Sequence, residues 1–475
     1  MQKDILENDD SHYYGVMMFN VDETIDAFRR GALDIDCKHM VLTQHMEGGE
    51  SFEGQGYIRQ ADSGVLIFKI YVARHNAKPL GHFEAMFSGG AGTIYKDAAF
   101  YDLKATDYDG KLWTATRILL EPYWDVSDMT VLAQGKMQSM TGRVGKPRHD
   151  HYLRLHFFEK YQVPLRQMSE TEKHGHRYYV RDHTQFEICG AKIKVRQPES
   201  IDDTIVELTS ETPLPVAFDL RIQEAFQYLT ARSAFWRARL WSHDEELHLE
   251  LLSPRRKAAR TQFGPPISPG SSYFLEHGWR LFEVYLAYVV QKTQGNDRNP
   301  VAYHLYNACE ATANSVDAWA VGISVAVEAV TGLIDIASDG DRAEELTLYR
   351  TRALAWLTEQ KDLSADIVSR AKGQINAMSN KRPQDTLYAL AAMGRVEKNY
   401  INAWSYLRNR HVHPRPQDLK EPTLVDMQKL LDQIHRVEVL LRQLTFYLID
   451  YQGPFTDYGE HDFPSKQYPL AVEGG

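Results

Sequence analysis

The segment Trp404-Ser405-Tyr406-Leu407-Arg408-Asn409-Arg410-His411-Val412-His413-Pro414 gathers two arginines, two histidines and an amide into the last two turns of a predicted helix. A general base beside a guanidinium is what cleavage of a phosphodiester by a neighbouring 2′-hydroxyl needs, one group to take the proton and one to hold the phosphoryl charge. Asn409 and His413 are four residues apart, so on a helix they share a face and the amide can orient the imidazole. Arg408 is one residue off that face, within reach of the ring through its long side chain. His413 precedes Pro414, which disfavours α geometry and predicts an exposed histidine at a frayed end. His411, three residues after Arg408, is the other candidate base. The same cations also complement the dipole of a helix C-terminus, a role that needs no chemistry.

Other chemistry-bearing clusters are weaker. His149, His151, His156, His174, His176 and His183 lie close in sequence, but no cysteine or carboxylate spacing supports a metal site. Glu121-Pro122-Tyr123-Trp124-Asp125 with Asp128 has the composition of a sugar-binding platform, and equally of a sheet aromatic beside a turn. Gly54-x-Gly56 and Gly89-Gly90-x-Gly92 lack the strand, helix and lysine of a phosphate loop and are expected to be turns. No GxSxG is present. Neither a metal nor a cofactor is expected.

The elements that must position Arg408 and His413 follow from the rest of the chain. It has 475 residues, 43% hydrophobic and 25% charged, which excludes a disordered or collagenous protein and predicts two or three domains. The formal charge of −10 excludes a chain-wide basic surface, so nucleic acid would be met at a local cleft. Three scattered cysteines, Cys37, Cys189 and Cys309, offer no CxxC pair and point to a reducing compartment. The start, MQKDILENDD, lacks the apolar stretch of a signal peptide, and no apolar run reaches membrane-spanning length. A cytoplasmic protein without membrane contact is expected.

Texture changes near residue 255. Before it, short apolar runs alternate with turn residues: Val65–Ala73 after Asp62-Ser63-Gly64, Leu112–Leu120 after Asp109-Gly110, Gln185–Cys189 and Ala191–Val195 across Gly190, Trp236–Trp241 and Leu247–Leu251. One helix, Ala217–Thr230, interrupts them. Residues 1–255 are therefore expected to be a mainly antiparallel β domain, and residues 256–271, basic and rich in proline and glycine, a linker. Residues 272–452 read as an all-α bundle of five or six helices: Tyr273–Gln294, Val316–Ile336, a helix opening at Asp341, Ser364–Met378, Gln384–His411 with a kink near Gly394, and a last helix capped by Thr423 and Asp426. Residues 453–475 are expected to be a loose extension. The fold class is α+β with two domains.

Leu407-Arg408-Asn409-x-x-x-His413, placed before the final apolar helix of an α domain, resembles the Rx4-6H motif of the HEPN superfamily, many of whose members are metal-independent endoribonucleases. Val325-Ala326-Val327-Glu328-Ala329-Val330 is similar to the apolar-Glu-Ala helix of the ApeA-like branch, in which a β-rich domain precedes the bundle, as here. The resemblance covers residues 272–452; over the N-terminal half it rests on layout. It implies that His413 takes the proton of the RNA 2′-hydroxyl, Arg408 neutralises the phosphoryl oxygens and Asn409 orients the histidine. Arg410 and Arg415 would be secondary RNA contacts, and Glu328 a further site residue. It implies a homodimer through the bundle, a product with a 2′,3′-cyclic phosphate, and a role in anti-phage abortive infection, with the β domain detecting a phage-derived trigger. The alternative is a non-catalytic HEPN-like binding or dimerisation protein whose β domain takes a carbohydrate or a protein.

Overall fold

The computed structural model describes residues 20–76, 94–125, 130–173, 176–254, 262–336, 340–360, 362–377, 382–412 and 423–471. By internal contacts it divides into two units, each treated by itself. The first is Met1–Phe158 with Thr209–Glu211 and Trp236–Pro254, and the second is Glu159–Leu208, Thr212–Phe235 and Arg255–Gly475.

The first unit begins with helix α1 (Val21–Arg29), whose N-cap Asn20 accepts from the backbone N–H groups of Asp22 and Glu23. Strands β1 (Asp34–Gln44), β2 (Ser51–Gln60), β3 (Leu66–His75), β4 (Phe100–Asp107), β5 (Leu112–Asp125) and β6 (Thr130–Met137) run in the order β4-β1-β2-β3-β6-β5. β5 pairs back to β4 and closes a six-stranded antiparallel barrel. Closure leaves no free edge on these strands. Alternation fills the core: Met40, Leu42, Phe68, Ile70, Leu103, Trp113 and Ala133 are buried together. β7 (Ser139–Gly145), β14 (Glu246–Leu252), β13 (Ala238–His243) and β8 (His151–Phe157) extend the sheet from β5. The expected hairpins are present, with the β4–β5 turn using Gly110 at φ +85° and the β13–β14 turn using Asp244 and Glu245 at φ +50° and +61°. Gly54 and Gly56 are not turns. They lie inside β2, where a Cβ would collide with the carbonyls of Tyr71 and Lys69 on β3. Gly89, Gly90 and Gly92 lie outside the described residues.

The second unit opens with a sheet in the order β12-β11-β10-β9, from β9 (Gln167–Lys173), β10 (His176–Ile188), β11 (Ala191–Arg196) and β12 (Thr204–Ser210), followed by α2 (Phe218–Thr230). β10 and β11 pair across Gly190 at φ +75° as expected. Then come α3 (Phe274–Lys292), α4 (Pro300–Ala311), α5 (Val316–Gly332), α6 (Gly340–Glu359), α7 (Ala365–Ala377), α8 (Pro383–Ala392), α9 (Lys398–Leu407) and α10 (Leu424–Leu448). The helical region thus holds more than the five or six helices expected. One helix with no counterpart among those expected is α4, which starts at Pro300 directly after the N-cap Asn299, whose side chain accepts from the Val301 and Ala302 N–H groups. The long Gln384–His411 helix is two helices, broken at Gly394 with φ +66°. The capping box of Thr423 and Asp426 is formed with both of its hydrogen bonds.

Contacts do not divide the chain at residue 255. Residues 159–208 and 212–235 group with the helices, because Phe186 of β10 and Phe226 of α2 pack on Trp279 and Phe282 of α3 with ring centroids 5.0–6.2 Å apart. Residues 262–271 form no helix or strand, yet Ile267 is buried and Phe263 nearly so. The expected loose tail is instead folded: β15 (Gly453–Thr456) and β16 (Ser465–Tyr468) make a hairpin, and the rings of Phe455 and Tyr468 lie 5.7 and 5.3 Å from that of Phe446. Prolines and glycines suggested disorder there, but the aromatics supply enough apolar surface to fold the segment down.

Candidate functional site

α9 is fixed by its inner face. Tyr400, Ile401, Ala403, Trp404 and Leu407 are buried, and the Trp404 indole N–H donates to the Ser324 carbonyl of α5 at 3.1 Å. Past Leu407 the helix widens into a π-helical turn, Arg408–Val412. Such turns bond i to i+5 and recur at functional sites.

From that turn Arg408 reaches α5. Its Nε donates to Glu328 Oε2 at 3.0 Å, and its guanidinium carbon lies 5.9 Å from the Trp404 ring centroid. The two side chains are 34% and 40% exposed. Among the described residues the Nη groups of Arg408 have no hydrogen-bond partner. A planar fork oriented through one nitrogen, with its remaining donors facing no protein acceptor, is suited to bidentate capture of a phosphate. Asn409 is exposed. Arg410 donates from Nη1 to the Tyr406 hydroxyl at 3.0 Å. His411 turns inward, its side chain 9% exposed and its Nδ1 3.2 Å from Asp317 Oδ1 at the start of α5. His413 and Arg415 lie outside the described residues.

The structure therefore makes two separate contacts between the end of α9 and α5, Arg408 with Glu328 near the C-terminal end of α5 and His411 with Asp317 at its start, rather than one cluster of all four. Asp317 and Trp404 were not singled out as site residues. Glu328 was legible as the only charge in Val325–Val330, whereas nothing in the sequence ties Asp317 to His411.

The remaining clusters resolve separately. His156 is buried in β8, His183 is 2.8 Å from Asp182, and His174 lies outside the described residues. Glu121–Asp125 is the end of β5, paired with β6, and Asp128 lies outside the described residues. Among the described residues, one group of three potential metal ligands converges, Glu397, Asp457 and Glu460. The Lys466 ammonium already sits among them at 2.8, 2.7 and 2.7 Å. Partial burial opposes its charge, but hydrogen bonds to Asp457, Glu397 and Glu460 outweigh this and hold the amine above its usual value. The lysine thus supplies the positive charge that a metal would bring. Among the described residues no helix is long and apolar enough to cross a membrane. Set against protein-family models, curated proteins and solved structures, the chain matches none.

Proposed function

We propose that the chain is a metal-independent endoribonuclease of the HEPN kind, acting in anti-phage abortive infection under the control of its N-terminal β domain. The observation that carries this reading is the Arg408–Glu328 contact at 3.0 Å. It joins the two positions, 80 residues apart in sequence, that the resemblance picks out independently. In the reaction the guanidinium holds the scissile phosphate and offsets the charge that develops on its oxygens. Glu328 is a positioning residue: it fixes the guanidinium plane through Nε and leaves the other donors for RNA. The base takes the 2′-hydroxyl proton, the 2′-oxygen attacks phosphorus, the 5′-oxygen leaves with a proton, and a 2′,3′-cyclic phosphate remains. His413 is assigned as the base over His411, because the Nδ1 of His411 is already engaged by Asp317 and only 9% of its side chain is exposed, whereas a base must reach its substrate. A homodimer through the bundle would bring two such turns to one cleft and concentrate positive charge on a chain of net −10.

The test is cleavage of total RNA and tRNA in EDTA by the wild type and by an Arg408→Ala/His413→Ala variant, in extracts of phage-infected and uninfected cells. Wild-type fragments ending in 2′,3′-cyclic phosphate, absent with the variant, are expected. Intact RNA from both proteins in both extracts would overturn the proposal and favour the binding-module reading, for which the Arg408–Glu328 and His411–Asp317 pairs are cross-links between helices.

A further inference from the structure

In the first unit, Arg237 immediately precedes β13 and is fixed by its backbone: its N–H donates to the His156 carbonyl at 2.7 Å, and its own carbonyl accepts from Leu252 N–H at 2.9 Å. Its side chain is held as firmly. Nε donates to the Leu252 carbonyl at 2.8 Å, and the guanidinium carbon lies 5.2 Å from the Phe28 ring centroid and 5.6 Å from that of Phe158. Those two rings are 5.7 Å apart. Contact with two aromatic rings strips water from a cation and restricts its rotation.

Arg237 is one of the residues that line a pocket of about 460 Å³. The same lining includes Arg29, Arg30 and Gly31 at the end of α1, the turn from Gln60 to Gly64, Phe158 and Pro254. The lining residues include three arginines and one carboxylate-bearing residue, Asp62. Arg29 has an acidic neighbour, Asp26, at 3.3 Å. Arg30 and Arg237 have no carboxylate in ion-pairing range among the described residues; Arg30 Nε donates instead to the Asp26 carbonyl at 3.2 Å. A half-buried, uncompensated guanidinium is costly unless an anion completes it. Local positive excess of this kind stands out on a chain of net −10.

We infer that this pocket binds a small phosphate monoester, with Arg237 as the fixed donor and Arg30 as the second cation. A monoester dianion offers the several charged oxygens that two forks can share. A pocket of this volume takes a terminal phosphate and its attached group, and the second charge of a monoester, which a phosphodiester chain lacks, is what two guanidinium forks would select. The inference stands whether or not the ribonuclease reading does, and it gives the β-rich unit a ligand class.

The experiment is calorimetric titration of the full chain with phenyl phosphate, inorganic phosphate, monoanionic diphenyl phosphate and a short single-stranded RNA. Saturable one-to-one binding of phenyl phosphate is expected, at least about tenfold tighter than the diester, the size of one lost charge-assisted hydrogen bond. Arg237→Gln and Arg30→Gln should each weaken it about tenfold or more. Arg30 is exposed at the end of α1, so its variant decides the matter should Arg237→Gln fail to fold. Absence of saturable binding by the wild type, or affinity unchanged in Arg30→Gln, would overturn the proposal. Binding of inorganic phosphate alone would overturn the ester assignment, and equal or tighter binding of the RNA would overturn the small-ligand assignment.

Discussion

Two arginine–glutamate pairs of the second unit share a chemistry and differ in everything around it. Arg442 and Glu438, four residues apart on α10, are both fully buried. The guanidinium contacts Glu438 and the Gly264 carbonyl, donates to the Pro265 carbonyl at 3.1 Å, and lies 5.2 and 5.0 Å from the rings of Phe263 and Tyr458. Glu438 in turn accepts from the Gly264 N–H at 2.9 Å. This pair acts as a clasp that pins the irregular segment 262–271 to α10. Arg408 and Glu328, by contrast, join two helices at the surface and leave both Nη groups of the arginine without a partner among the described residues. The two arginines differ in how many of their donors are already engaged inside the protein: Arg442 contacts Glu438 and two backbone carbonyls, whereas Arg408 uses Nε alone among the described residues.

The largest effect should come from breaking the clasp. Arg442→Ala leaves Glu438 charged and buried and frees two carbonyls, at a cost of about 3–5 kcal/mol. Urea unfolding followed by circular dichroism measures it. Replacing both partners by apolar residues of similar volume should restore most of the loss. A cost below about 1 kcal/mol for Arg442→Ala would break the comparison, because the buried pair would then behave like a surface one.

Arg408→Ala should show the opposite profile. Partial exposure of both partners limits its effect on stability to about 1 kcal/mol or less. Loss of a preorganised donor for the developing phosphoryl charge should lower the cleavage rate about 10²–10³-fold. The same unfolding series, run beside the RNA assay in EDTA, gives both numbers. Destabilisation as large as that of Arg442→Ala would make Arg408 structural and withdraw the observation on which the proposed function rests.

A third pair, Arg221 and Glu224 on α2, sharpens the contrast through pH. Glu224 is 3% exposed, accepts from Arg221 Nη1 at 2.8 Å and takes the Asn299 N–H at 3.1 Å. Burial pushes its carboxyl up to about 7, against the lowering pull of Arg221, the Asn299 N–H and Arg298. The unfolded chain releases this proton near the ordinary value of 4.5. Between 4.5 and about 7 the folded state holds a proton that the unfolded state has lost, so this group's contribution to stability falls as pH rises through that window and is level above it. Glu224→Gln should remove that slope. Unfolding midpoints across the window, wild type minus variant, measure it; parallel profiles would show that the carboxyl is charged throughout.

Local signals carried much of the fold into the sequence, and long-range contacts did not. Asp109-Gly110, Gly190 and the Thr423–Asp426 box are read from a few adjacent residues, and each does locally what its chemistry requires. The grouping of Phe186 and Phe226 with Trp279 depends on contacts that no periodicity encodes. The barrel closure of β5 on β4 had part of its signal in a visible hairpin, but the return of β6 to β3 had none. At the candidate site, the helix end and its cations were legible. The π-helical turn was not, because i to i+5 bonding over Arg408–Val412 is a departure from the α period that these residue types do not announce. The His411–Asp317 contact joins residues 94 positions apart, a separation at which no local spacing pairs them.

The smallest effect expected is that of Glu328→Gln. Glutamine keeps an acceptor for Arg408 Nε and removes the charge, so stability should change by less than about 0.5 kcal/mol, the scale of an exposed pair. Positioning should weaken without loss of the guanidinium, so the cleavage rate should fall about tenfold, less than for Arg408→Ala. The discriminating measurement is the double variant. If Glu328 acts only through Arg408, adding Glu328→Gln to Arg408→Ala should change the rate no further, a coupling equal to the whole effect of the single substitution. If the two losses multiply instead, Glu328 acts on RNA or on the base directly, and the carboxylate belongs among the groups that touch the substrate.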